Sequence, residues 1–221
     1  MQVTEHALFP TRLVTIQFDA PGLNEEVARR FATGDEFAGD FDMHPDSQNL
    51  LVLADRWPAI GRLRTMFLDG LRVWLRGERA FGELATEMVL FSNYAARGEF
   101  TLVHNHEADV AGIYYVTTAE YDRPALVVAD PAGEYDYFAA EDGVLVLHDP
   151  RFNANLGALG SADYAKVYPR PGLMLIFPGF LWHSVTPHLG EFRRLAISAN
   201  FRLRSSRPSN AETWSVVVDK S

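Results

Sequence analysis

Apolar and polar positions follow a helical period early in the chain and a strand period afterwards. Residues 11–18, Thr-Arg-Leu-Val-Thr-Ile-Gln-Phe, alternate and predict a half-buried strand that stops at Pro21-Gly22. Asn24 is placed to cap a short helix, with Glu25 and Glu26 in its first turn and Val27 and Phe31 on one face. Residues 35–49 are rich in Gly, Asp, Pro and Ser and read as a loop. A second helix is expected from Asp55 as cap, with Pro58 in its first turn. Ile60, Leu63, Phe67, Leu71 and Trp74 recur at helical spacing, and the arginines between them lie mostly off that stripe. The pattern is that of an amphipathic helix lying on a sheet with a solvated basic face.

From Leu84 onward, short runs rich in Val, Ile, Tyr, Phe and Leu alternate with Gly, Asp, Asn and Pro. Strands are expected over 86–95, 101–106, 112–117, 125–129, 143–148, 164–167, 172–177, 182–187, 195–204 and 214–218. Their regular spacing predicts a sandwich or barrel, not βαβ units. The expected class is α+β, mainly β: a jelly roll with N-terminal helices packed on one sheet. One domain spans 1–221, with a strand and helical buttress at 1–83, a β core at 84–204 and a C-terminal strand segment at 205–221.

A chain of 221 residues can bury a sizeable core. A net charge of -9 argues against nucleic acid or an anionic membrane as partner. The absence of cysteine excludes disulfides, thiolate metal sites and cysteine nucleophiles. The N-terminus lacks a basic region followed by an apolar run, and the apolar stretches fall short of the roughly 20 residues of a membrane span. A cytoplasmic protein is expected.

Seven histidines carry the candidate chemistry. His6, in the N-terminal tail, and His188, after Pro187, read as solvated. His44 belongs to the polar loop, and His148 ends an apolar strand in a structural role. His104 and His106 sit at alternate positions of an extended segment and so share a face. His183 follows the Pro178-Gly179 corner and can complete a three-point grip on a metal. Neutral imidazoles suit zinc, iron, copper or nickel, so ligand type alone does not choose the metal. The remaining place in the coordination set falls to His106 or, if the chain turns back after it, to Asp109.

Eleven residues after His183, Arg194 opens a strand with Arg194, Ala196, Ser198 and Asn200 on one face and Leu195, Ile197, Ala199 and Phe201 on the other. A guanidinium among inward polar groups suits a carboxylate, which it meets as a bidentate fork. Asn93 and Tyr94, on the strand before the His pair, are candidates to hydrogen-bond the same co-substrate. Tyr114 and Tyr115 are adjacent, so only one of them faces the site. The set reads as a non-haem iron site that takes an oxo-acid co-substrate.

These residues resemble a family of 2-oxoglutarate- and iron(II)-dependent oxygenases, small bacterial and phage proteins with a double-stranded β-helix. The resemblance rests on His104-Asn105-His106, then Ala111-Gly112-Ile113-Tyr114-Tyr115, then Ile176-Phe177-Pro178, Trp182-His183-Ser184-Val185-Thr186-Pro187 and Arg194 through Ser198-Ala199-Asn200. It runs from about Ser92 to Phe201. Glu107 and Ala111 stand where the family has Pro and Ser. The resemblance implies iron(II) on three protein ligands, 2-oxoglutarate on the metal with its far carboxylate on Arg194, and oxidation of a C–H bond with release of succinate and CO2. A cupin-like metal- or ligand-binding module without oxidative turnover is the competing reading. A metal hydrolase or isomerase with zinc-bound water is a third, and it needs a placed general base. Arg194, Ser198 and Asn200 on one face favour the oxygenase. The expected substrate is a small molecule or a peptide. Trp214–Val218 is a candidate sheet edge for a homodimer.

Overall fold

The computed structural model describes residues 10–33, 49–77, 82–128, 141–151, 164–204 and 214–218. His6, His44 and most of the expected 35–49 loop lie outside the described residues. In chain order the elements are β1 (Val14–Gln17), α1 (Pro21–Ala32), a 3-10 turn (Leu50–Leu53), α2 (Pro58–Gly77), β2 (Gly82–Ala95), β3 (Thr101–His104), β4 (Val110–Thr117), β5 (Leu126–Val128), β6 (Leu145–His148), β7 (Tyr164–Val167), β8 (Leu173–Pro178), β9 (His183–Val185), β10 (Arg194–Arg204) and β11 (Trp214–Val218).

The strands form two antiparallel sheets, ordered β1-β8-β4-β10-β2-β11 and β3-β9-β6-β7-β5. The six-stranded sheet is covered on both faces. One face packs under α1 and α2 through Leu90, Tyr114, Met174, Ile176, Ile197 and Phe201. The other meets the five-stranded sheet through Ile113, Tyr115, Leu175 and Phe177, against Leu145, Leu147 and Val167. Burial on both faces explains why β8 reads as an unbroken apolar run, and all six of its residues are buried.

Helix α2 forms where the stripe predicts, and Ile60, Leu63, Phe67, Leu71 and Trp74 are all buried. Gly112, in the middle of β4, leaves room for the Phe67 ring: a Cβ there would lie 3.0 Å from Phe67 Cε1. Helix α1 departs from expectation. It starts at Pro21 with Ala20 as an N-cap that makes no side-chain bond. Asn24 is inside the helix instead, and its Oδ1 accepts the Tyr114 hydroxyl at 2.7 Å, tying α1 to β4. A side-chain cap is also an ordinary hydrogen-bond acceptor, and here a buried phenol claims it.

Another Asn does cap. Asn49 Oδ1 accepts the Leu51 N–H at the start of the 3-10 turn and the Leu90 N–H of β2. It thereby closes part of the β2 edge that β11 leaves open, since β11 pairs only with Gly82–Thr86. Phe67 is fully buried and meets the Phe201 ring at 6.4 Å. Phe67→Ala is expected to cost about 3–5 kcal/mol in urea unfolding; a loss below about 1 kcal/mol would mean the helix layer does not stabilise the sheet.

Candidate metal centre

Strands β3 and β9 pair so that His104 stands directly opposite His183. His106 reaches them by another route than a continuous strand, because β3 ends at His104. The backbone N–H of His106 donates to the Gly179 carbonyl at 2.9 Å, and the Gly179 N–H donates to the Asp109 carbonyl at 3.1 Å. This clasp requires glycine: a Cβ at position 179 would lie 2.0 Å from the Ala108 carbonyl oxygen. The Pro178-Gly179 corner thus holds the loop that carries His106.

One donor nitrogen from each of His104, His106 and His183 lies within 4.8 Å of the others, so the three could hold a metal ion. His104 and His183 each donate Nδ1–H to a backbone carbonyl two residues earlier, Leu102 and Leu181, both at 2.8 Å. That fixes the tautomer and leaves the Nε2 lone pair for a ligand. His106 Nε2 lies 3.3 Å from His183 Nε2. Burial pushes the His106 pKa down to about 4, with the His104 charge adding to it. Burial likewise pushes His183 down to about 3, against the bond to the Leu181 carbonyl and with His104, His106 and His148 adding to the depression. Both rings are neutral at neutral pH, so a metal displaces no proton from them.

Asp109 is not part of this group. Its Oδ2 accepts the Leu203 N–H at 2.7 Å and its own N–H donates to the Phe201 carbonyl. The turn after His106 carries it toward β10 and away from the histidines, as required by the Gly179 clasp. His148 stands apart, with Nε2 3.3 Å from the Ser184 hydroxyl. His188, expected in solvent, is buried, and both of its ring nitrogens are hydrogen-bonded.

A cavity joins the three histidines to Arg194, Asn93 and Ser198. Arg194 is 5% exposed. Its Nε has no hydrogen-bond partner, and no carboxylate among the described residues lies in ion-pair contact with it. Its guanidinium lies 5.4 Å from the centre of the Tyr115 ring. Asn93 Nδ2 donates to Ser198 Oγ at 2.8 Å across the β2–β10 ladder.

Two expected members fall elsewhere. Tyr94 alternates with Asn93, so it faces the helix layer, packing on Phe31 with Arg193 over its ring. Asn200 lies one pleat beyond Ser198 and is not among the residues lining this cavity, though its Oδ1 is buried without a partner. Tyr115, left undecided against Tyr114 by the sequence, is the inward one. Its hydroxyl is buried, and burial raises its pKa to about 12 against the charge and hydrogen bonding of Arg194. The available signal was parity: Gly112 and Tyr114 share the helix-facing side of β4.

The chain matches the family described as "Putative 2OG-Fe(II) oxygenase" over residues 90–200, half its length. It belongs to that family, and is an iron(II)- and 2-oxoglutarate-dependent oxygenase with a jelly-roll fold. A binding module without turnover is not favoured. No curated protein matches by sequence.

Among solved structures, the chain is similar to a Pseudomonas putida prolyl-4-hydroxylase, with 16% identity over 88% of this chain and 89% of that one, TM-score 0.50. It is also similar to HygX from Streptomyces hygroscopicus with nickel and 2-oxoglutarate bound, with 14% identity over 87% and 82%, TM-score 0.51. A third is SnoN, a non-heme alpha-ketoglutarate-dependent epimerase from nogalamycin biosynthesis, with 13% identity over 86% and 77%, TM-score 0.53. At these identities the likeness is one of fold. No described helix is long and apolar enough to cross a membrane.

Two outcomes follow from the geometry. His183→Ala is expected to lose metal in an equilibrium-dialysis titration while Asp109→Asn retains it; the reverse would restore Asp109 to the coordination set. The depressed histidines also set a pH dependence in the metal-free protein. The unfolded chain takes up these protons near 6.5 and the folded one only near 4 and 3. Stability is therefore fully present above pH 6.5 and falls as pH drops toward 3. Urea midpoints should decline over that window, less steeply in His183→Gln; equal slopes in the two proteins would remove His183 from the cause.

Proposed function

We propose that His104, His106 and His183 hold the iron(II), and that Arg194 takes the far carboxylate of 2-oxoglutarate. One observation carries this reading. A guanidinium buried to 5% exposure, with its Nε unpartnered and no carboxylate against it among the described residues, shares a cavity with three converging imidazoles. A buried charge without a counter-charge is costly, and a carboxylate from a ligand removes that cost. The donor set fits the metal as well: neutral nitrogens, two of them oriented by backbone carbonyls.

Iron(II) with bound 2-oxoglutarate and dioxygen supplies the oxidation of a substrate C–H bond, with succinate and CO2 as co-products. The chain's own residues orient and exclude water. Arg194 receives the acid end, and the Asn93–Ser198 pair adds polar groups to the same cavity. Phe91 stands 6.2 Å from the His106 ring and, with Ile113, Val185 and Ala196, gives the cavity its apolar lining.

The reaction is a hydroxylation of a small molecule or a peptide in the cytoplasm. A net charge of -9 supports a partner that is neither nucleic acid nor an anionic membrane surface. A homodimer through β11 is supported by its position at the end of the six-stranded sheet, where it pairs on one side with β2.

The test is an anaerobic titration of metal-free protein with iron(II), then 2-oxoglutarate, read from the visible charge-transfer band and followed by succinate release on admitting oxygen. The parent should give both signals. Arg194→Ala should keep the metal and lose about 2–5 kcal/mol of 2-oxoglutarate affinity, the usual cost of truncating one partner of a buried charge-assisted pair. An Arg194→Ala protein that binds 2-oxoglutarate as the parent does would end the assignment of the anchor.

A further inference from the structure

The loop between β9 and β10 is tied down at His188 from every side. Its backbone N–H donates to the Glu99 carbonyl at 2.9 Å and its carbonyl accepts the Gly98 N–H at 2.7 Å, in the turn between β2 and β3. Its ring is 1% exposed. Nδ1 lies 2.7 Å from Asp142 Oδ1, and Nε2 lies 2.5 Å from the Phe192 carbonyl. Both ring nitrogens therefore face oxygen acceptors. The same Asp142 oxygen accepts the Leu189 N–H at 2.8 Å, and the Asp142 carbonyl accepts the Tyr121 hydroxyl.

Each ring contact ends close to Arg194. Phe192 is two residues before it in the chain. Asp142 precedes Gly143, whose N–H donates to the Pro187 carbonyl and which has φ 61. Arg194 lies across Gly143: a Cβ there would be 2.9 Å from its Cδ and 3.2 Å from its Nε. His188 thus holds the backbone leading into Arg194 and also the wall its side chain rests on. A second small cavity contains both His188 and Arg194, on the side of the Glu99 turn.

We infer that His188 is a positioning residue for the co-substrate, acting through Arg194: with Asp142 it fixes the guanidinium where the far carboxylate of 2-oxoglutarate must meet it. The inference rests on Arg194 as the anchor. An Arg side chain has several rotatable bonds, and a bidentate contact tolerates little displacement, so loosening its wall and its backbone weakens the acid more than the metal. A ring in a merely structural role would lower stability without separating those two affinities.

The test uses the full chain loaded with nickel(II), so that no turnover occurs, and titrates 2-oxoglutarate by calorimetry. His188→Phe keeps the ring against Phe192 and removes both ring-nitrogen contacts; Asp142→Asn, which still offers an acceptor to Leu189, serves the same purpose if His188→Phe does not fold. Each is expected to raise the 2-oxoglutarate Kd about ten- to a hundredfold with nickel affinity unchanged. His188→Phe should add nothing further in an Arg194→Ala background, because the effect runs through that side chain. A parental Kd in both variants, or a loss that adds fully to that of Arg194→Ala, overturns the inference and leaves the anchor standing. A parental Kd in Arg194→Ala overturns the anchor itself, and the inference with it.

Discussion

Strand β10 is the constraint from which the site follows. It pairs over its whole length with β2 and over most of it with β4, so its register is held from both sides. Leu195, Ile197, Ala199 and Phe201 belong to the core under the helices. With a side-chain period of two, Arg194, Ala196 and Ser198 are then forced toward the other sheet, where the histidines stand. A slip of one residue would drive the guanidinium into the helix-side core and expose the apolar set. The cost of that slip is what keeps a buried cation in place.

The two ends of the site come from different sheets. His104 and His183 sit opposite one another in the five-stranded sheet, and Arg194, Ser198 and Asn93 belong to the six-stranded one. The span between metal and acid anchor is therefore set by sheet-on-sheet packing through Ile113, Tyr115, Leu145 and Phe177. Close-packed interiors give way little, which is what a bidentate ligand fixed at both ends requires.

Arg194 Nε and Asn200 Oδ1 are buried without hydrogen-bond partners on the face of β10 turned to the second sheet. Such groups lower stability. Arg194 lines the cavity of the three histidines, and a carboxylate bound there, as proposed, would partner it. Asn200 lies beyond it, and nothing in the structure explains its unpartnered oxygen.

The sequence by itself determined the class of fold, the stripe of α2, most strand positions and the polar face of β10. These depend on periodicity, and periodicity is local. It also marked His104, His106, His183 and Arg194 as one chemistry. Only the tertiary structure brings His106 to the other two histidines and carries Asp109 toward β10, because the direction of the chain after His106 depends on the Gly179 backbone some seventy residues later. It alone turned Tyr94 away and Tyr115 inward, since the sequence sets which residues alternate but not which side faces the second sheet. His188 reads as solvated in the sequence, because a His after Pro in a turn gives no hint of burial. Phe192 is only four residues away, but Asp142 meets His188 only when the segment before β6 is brought against the β9–β10 loop.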